Sequence, residues 1–247
     1  MNVLQVVLFV IKIIEIKFEM NTSIKRVRIM VLGDSGVGKT SLVNLIAHNE
    51  PIKSPSWTIG SSVEVKLHEY KEGTKEQKTY FIEMWDIGGS NNHKNERHVF
   101  YNPCHGIILV YDLTNRKSEE HLNDWLQELL NREGGNSSMT SVTSFDEFDP
   151  ENFLGTNQIP ILVVGTKINQ AHERKPNGKN FATQIGADEI LLDCRQPRYL
   201  AAGTSNSVKL SRFFDRVIDF SSKSHERFGN SVSSPIYSSK FTIPHQE

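Results

Sequence analysis

Cysteine is scarce. The chain has two, Cys104 and Cys194, and no CxxC pair. That argues against a disulfide framework or a cysteine zinc site and suits a reducing compartment. An excess of one charge is missing too: Lys and Arg number 28 against 29 Asp and Glu, for a net charge of −1. General binding to nucleic acid or to an anionic membrane draws on surplus Lys and Arg, so neither is expected. No apolar run reaches the roughly 20 residues of a membrane helix. The nearest, VLQVVLFVIKIIEI from Val3 to Ile16, is interrupted by Lys12 and Glu15. It also lacks the basic start and small-residue cleavage site of a secretory signal. The closing FTIPHQE holds no cysteine, so no prenyl anchor is expected there. These absences predict a cytoplasmic chain without a direct lipid anchor.

What is present suits one domain with extensions: 247 residues, 37% apolar and 23% charged. MNTSIKRVRIMVLGD from Met20 reads as an ordinary domain opening, so residues 1–19 are set aside as a start-site artefact. The expected division is an apolar extension over 1–22, a domain over 23–220 and a disordered Ser-rich tail over 221–247. RVRIMVL (Arg26 to Leu32) predicts a strand, and KTSLVNLIAH (Lys39 to His48) a helix. SSVEVKLHEY and KTYFIEMWD alternate around the turn glycine Gly73, which predicts an antiparallel hairpin. GIILVYDL (Gly106 to Leu113) and IPILVVGT (Ile159 to Thr166) are continuous apolar runs, typical of strands covered on both faces. Ser118 to Asn131 reads as a helix capped by Ser118, with His121 in the capping-box position and a stripe of Leu122, Trp125 and Leu129. Val208 to Phe220 reads as the closing helix. Residues 133–158 form a long loop rich in Gly, Ser and Asp, mobile or made for interaction. This alternation predicts an α/β sandwich that binds ligand at the carboxyl ends of its strands.

GDSGVGKT spans Gly33, Asp34, Ser35, Gly36, Val37, Gly38, Lys39 and Thr40, and matches GxxxxGK[ST] between a predicted strand and a predicted helix. Its glycines let the backbone N–H groups wrap a phosphate, and the helix dipole adds positive potential. Lys39 would reach the β- and γ-phosphates and the Thr40 hydroxyl would bind Mg²⁺. In WDIGG, at the end of the next core strand, Asp86 would hold Mg²⁺ and the Gly89 N–H would touch the γ-phosphate. Lys39 and Gly89 are thus the candidate catalytic groups. Thr58 in SWTIG sits on a loop that would close over the metal. GTKIN, from Gly165 to Asn169, ends another strand where a base-recognition loop belongs. Lys167 would lie along the base and Asn169 would face its edge.

Together VLGDSGVGKTSLV, PSWTIG, YKEGT, EMWDIGGS, FYNPCHGIILVYDLTN, NQIPILVVGTK and PRYLAAGTSNSVKLSRFFDRVI resemble the Rab-like small GTPases of the Ras superfamily, over about Ser23 to Phe220. The resemblance implies the small-GTPase (P-loop NTPase) fold: a three-layer α/β sandwich with a six-stranded, mostly parallel sheet and five flanking helices. It also implies GTP/GDP binding with Mg²⁺ and switch loops around Thr58 and over Gly88 to His98. A homodimer, protein regulators or effectors, and a link to signalling and to chaperones of prenylated Ras-like proteins follow from the same resemblance.

Departures from the family pattern bear on mechanism. Ser90 stands where hydrolysing members carry a water-orienting Gln. Serine is too short for that role, and the neighbours Asn91, Asn92 and His93 lie on a loop that would position water poorly, so slow intrinsic hydrolysis is expected. Asn169 stands where the guanine site usually carries Asp. A carboxamide offers one acceptor and one donor. A mismatched polar contact costs about 1–3 kcal/mol, roughly tenfold to a hundredfold in affinity. That predicts weakened guanine preference with some tolerance of xanthine nucleotides. Thr166 replaces the usual Asn, a milder change, since a hydroxyl can still brace the phosphate loop. The last base-contact segment is either Asp193 to Arg195 or Leu200 to Gly203. The leading reading is a slowly hydrolysing switch or scaffold. An ordinary cycling GTPase helped by a partner's arginine, or a nucleotide-insensitive pseudo-GTPase, are the alternatives. Intact Gly38, Lys39, Thr40, Thr58 and Asp86 weigh against the last.

Overall fold

A computed structural model of the chain describes residues 24–90, 92, 94, 96–101, 103–133, 159–171 and 180–229. The expected extension over 1–22, almost all of the loop over 133–158, the tail beyond Gly229, and Asn91 and His93 lie outside these residues. The strands are β1 (Lys25–Leu32), β2 (Ser61–Tyr70), β3 (Lys78–Ile87), β4 (Gly106–Asp112), β5 (Ile161–Thr166) and β6 (Asp188–Leu191). The described α-helices are α1 (Lys39–His48), α2 (Arg116–Glu120), α3 (Leu122–Glu133), α4 (Phe181–Gln184) and α5 (Ser205–Gly229). The strands form one six-stranded sheet in the order β2-β3-β1-β4-β5-β6. Among the described residues only the β2–β3 pair is antiparallel.

The sheet is the middle of three layers. Alternate residues of β1 go to opposite faces, as a strand requires. Val27, Ile29 and Val31 join Leu42, Val43 and Ile46 of α1 and Phe213, Phe214 and Val217 of α5. Met30 and Leu32 join Leu122, Trp125 and Leu126 of α3 and Ala182 of α4. β4 and β5 are buried along their whole length, which is why they read as unbroken apolar runs. The parallel strands end on one edge, and there β1 delivers the phosphate loop.

Two local expectations are corrected. The helix expected from Ser118 is two helices joined at His121, and Asn115 is the cap: its side chain accepts from the Lys117 N–H. Ser118 is fully buried instead. Its Oγ accepts from the Asp112 N–H at 2.9 Å and donates to the Asn115 carbonyl at 2.6 Å, closing the turn after β4. His121 turns its imidazole to Asp34, so it serves no capping box. The closing helix is also longer than its apolar spacing suggested. It runs to Gly229, so helix replaces the expected disorder over the first residues past Phe220.

Candidate functional site

The phosphate loop is shaped by backbone conformations open to glycine. Gly36 and Gly38 have φ of 78° and 100°, in the left-handed region. Gly38 is the residue from which α1 starts, so the first N–H groups of that helix point into the loop. A cavity of about 1000 Å³ opens above it, lined among others by Gly38, Lys39, Thr40, Thr58, Gly89 and Ser90. The loop, the segment after β3 and the Thr58 loop therefore converge on one space.

Lys39 is buried, and Nζ donates to the carbonyls of Gly33 at 2.8 Å and Asp34 at 2.9 Å. Burial pulls its ammonium down to about 8; Asp86 and Asp34 push back, and Arg97 adds to the lowering. The Asp34 carboxylate is engaged elsewhere. It accepts from Trp125 Nε1 at 2.9 Å and lies 2.7 Å from His121 Nδ1, so α3 and the residue before it pin the loop at the wall of the cavity. Only the backbone of Asp34 is left for a phosphate.

Three hard oxygen donors meet at the foot of α1. Thr40 Oγ1 lies 2.5 Å and Thr58 Oγ1 3.0 Å from Asp86 Oδ2, and the two hydroxyls are 2.9 Å apart. The other carboxylate oxygen, Asp86 Oδ1, is buried with no hydrogen-bond partner. An orphaned buried carboxylate oxygen beside two hydroxyls fits a small divalent cation. One carboxylate is a normal protein contribution for Mg²⁺, which takes its other ligands from phosphate and water. Among the described residues no group of three His, Cys, Asp or Glu could hold a metal.

Gly89 lies against the phosphate loop so closely that a Cβ would sit 2.5 Å from the Ser35 nitrogen and 2.6 Å from the Gly33 carbonyl oxygen. The neighbouring Gly88 N–H donates to the Gly60 carbonyl at 2.8 Å, which links the loop after β3 to the Thr58 loop. Ser90 lines the cavity. Arg97, in a short 3-10 turn over Arg97–Phe100, is the functional-site neighbour that sequence reasoning missed. It is 2% exposed and lines the cavity. Its guanidinium stacks 4.1 Å from the Trp125 ring centre and reaches Glu128 at 3.5 Å, while Nε and Nη1 have no hydrogen-bond partner. A lone Arg in a polar stretch carries no periodic signal.

At the other end, Thr166 Oγ1 is 2.5 Å from the Val37 carbonyl and 3.1 Å from that of Tyr111, so it braces the phosphate loop against β4. Lys167, with φ of 59°, donates to the Gly36 carbonyl at 3.0 Å and to Asp112 Oδ2 at 2.6 Å. Burial pushes the Asp112 carboxyl up, but hydrogen bonds from Lys167 and Thr114 outweigh it and hold it below the usual carboxylate range. Asn169 is exposed and lies outside the cavity lining. Of the two segments left open by the sequence, Asp193 to Arg195 is the one beside it: Asn169 Nδ2 donates to Asp193 Oδ2 at 3.1 Å. Cys194 lies 4.0 Å from the Gly38 carbonyl, and burial pushes its thiol up to about 12, so it is packing rather than a nucleophile. Leu200 to Gly203 leads instead into α5. Tyr199 also reaches Asn169, a contact between segments 30 residues apart that no local pattern announces.

Comparison with known proteins gives a consistent picture. The family described as Ras of Complex, Roc, domain of DAPkinase matches residues 28–146. Rab-like protein 3 of Bos taurus is 53% identical over 206 residues, covering 80% of this chain and 86% of that protein. Rab-like protein 3 of Danio rerio is 48% identical over 206 residues, covering 80% and 87%. The small GTPase LIP1 of Arabidopsis thaliana is 32% identical over 163 residues, covering 63% of this chain and 45% of that protein.

Proposed function

The chain belongs to the Rab-like protein 3 family of Ras-superfamily small GTPases, and from that premise we propose that it is a GTP/GDP-binding switch or scaffold whose intrinsic hydrolysis is slow. The observation that carries the reading is the meeting of Thr40, Thr58 and the orphaned Asp86 carboxylate under a loop that presents Lys39. A bound Mg²⁺ would supply charge neutralisation between the β- and γ-phosphates. The chain's own part is positioning. Backbone N–H groups of Gly33 to Thr40 cradle the phosphates, and Lys39 exchanges its two carbonyl partners for phosphate oxygens. Thr40, Thr58 and Asp86 would hold the cation. Gly89 offers its N–H to the terminal phosphate, and the Gly88–Gly60 hydrogen bond passes that contact to the Thr58 loop. Loss of the terminal phosphate would release both loops together.

Ser90 accounts for the slow step. It lines the cavity, but its side chain is too short to hold an attacking water in line. The switch would act through protein regulators or effectors, as a homodimer, in the cytoplasm, with lipidated small GTPases and their chaperones as its field of action. Among the described residues no helix is long and apolar enough to cross a membrane. Equilibrium affinities for GTP, XTP and ATP, followed by single-turnover hydrolysis in the same sample, test the reading. Tight Mg²⁺-dependent GTP binding with slow turnover is expected, and Ser90→Gln should speed turnover by about ten- to a hundredfold. Wild-type turnover as fast as an ordinary cycling Rab refutes the slow-switch reading. Absence of nucleotide binding supports a pseudo-GTPase.

A further inference from the structure

A buried guanidinium cannot shed its charge, and it carries five N–H donors. It normally meets a carboxylate at about 2.7–2.9 Å and has its remaining donors paired. Arg97 meets neither condition. It is 2% exposed, yet the Glu128 carboxylate lies 3.5 Å from Nη2, and Nε and Nη1 have no hydrogen-bond partner among the described residues. Its closest support is the face of Trp125, with the ring centre 4.1 Å from the guanidinium carbon. Trp125 and Glu128 stand three residues apart on α3, so they share one face of that helix.

Glu128 is divided between two donors. Its Oε1 accepts from the Tyr101 hydroxyl at 2.7 Å. The Arg97 charge is therefore only partly offset where it sits. The pair is also oriented. Both residues line the cavity that holds Lys39 and Gly89. Of the two, Arg97 is the one that acts at the Lys39 ammonium: its positive charge adds to the effect of burial, against Asp86 and Asp34, and Glu128 is not among the charges that act there. The cation of the pair is thus nearer the phosphate end of the cavity, and the anion stands farther off. Lys94 and Asp124, on the same wall, are of opposite sign.

We propose that Arg97 is a specificity-determining residue for the terminal phosphate: a cation of the chain's own, held on Trp125 at the cavity wall, whose partly offset charge favours GTP over GDP. The inference rests on the nucleotide reading above and adds which of the two nucleotides the fold selects. GTP carries one more negative charge than GDP, and it lies beyond the β-phosphate, on the side that Gly89 closes. A unit charge acting across about 10 Å at an effective dielectric constant of about 20 is worth about tenfold in affinity. Selection for GTP and slow turnover then act in the same direction, toward the triphosphate state.

Competition binding of GTP and GDP to the full chain in Mg²⁺, with melting temperature read in parallel, tests this. Arg97→Met removes the charge and keeps an apolar side chain against Trp125, and the GTP-over-GDP ratio is expected to fall about tenfold. Arg97→Lys keeps the charge and most of the ratio. Glu128→Gln removes the offsetting charge but still accepts from Tyr101, so it is expected to raise the ratio. A merely structural clip between the 3-10 turn and α3 predicts a different pattern: both Arg97→Met and Glu128→Gln lower the melting temperature and weaken GTP and GDP alike. That pattern, or a ratio that falls in Glu128→Gln, overturns the inference while the nucleotide reading stands. If Arg97→Met does not fold, the direction of the change in Glu128→Gln decides alone. A wild type that binds neither nucleotide removes both readings.

Discussion

A buried ammonium with a lowered proton affinity sets a pH window on the phosphate site. Burial disfavours the charge of Lys39 and lowers its ammonium to about 8. A polyphosphate against Nζ raises that value. Below about pH 8 the lysine is already charged, and nucleotide affinity is flat with pH. Above it, binding must take up a proton, so affinity falls by up to about tenfold per pH unit. Stability of the ligand-free fold moves the other way. The folded value lies below the unfolded 10.5, so the cost of the buried charge is present below about 8 and is relieved as pH rises between the two. Calorimetry at about pH 7 and pH 9, in buffers of different ionisation heat, should show proton uptake only at the higher pH. Lys39→Met should abolish the uptake along with most of the affinity. At this scale the motif residues were legible because GxxxxGK[ST] and DxxG are contiguous. Arg97, Asp112 and Tyr199 were not, because each finds its partner across the fold.

The closing helix α5 holds the edge of the sheet. Phe213 and Phe214 are fully buried under β1, β3 and β4. From the same helix Asp215 meets His68 Nε2 at 2.8 Å and Asp219 accepts from the Tyr70 hydroxyl at 2.5 Å, so β2 is fastened by its polar residues. Its alternating apolar set, Val63, Val65 and Leu67, consequently faces outward. Alternation announced the strand but not which face would be covered, because that depends on where α5 lands. Phe213→Ala should cost about 3–5 kcal/mol, read from urea unfolding. A loss under about 1 kcal/mol would mean that α5 is not integral to this core. The Ser118 correction has a similar cause. A serine before an apolar stripe signals a cap, but here the tight turn after β4 claimed it.

For the whole molecule, nucleotide and cation should stabilise the fold by mass action. At about a hundred times the dissociation constant a ligand adds about 2.7 kcal/mol. For a domain of this size that is about 5–10 °C in melting temperature. GTP with Mg²⁺ should produce such a rise, and EDTA should remove much of it. Equal melting with Mg²⁺ and with EDTA would show that Thr40, Thr58 and Asp86 hold no functional cation. The sequence by itself determined the first five strands, the helices after β1 and β4, the closing helix and the phosphate loop, since periodicity and contiguous motifs act over a few residues; the short β6 and α4 escaped it. Tertiary structure alone decided which of two segments flanks Asn169, and that a buried arginine lines the cavity. These depend on contacts between groups tens of residues apart, fixed only when the strands of one sheet bring their carboxyl ends to a common edge.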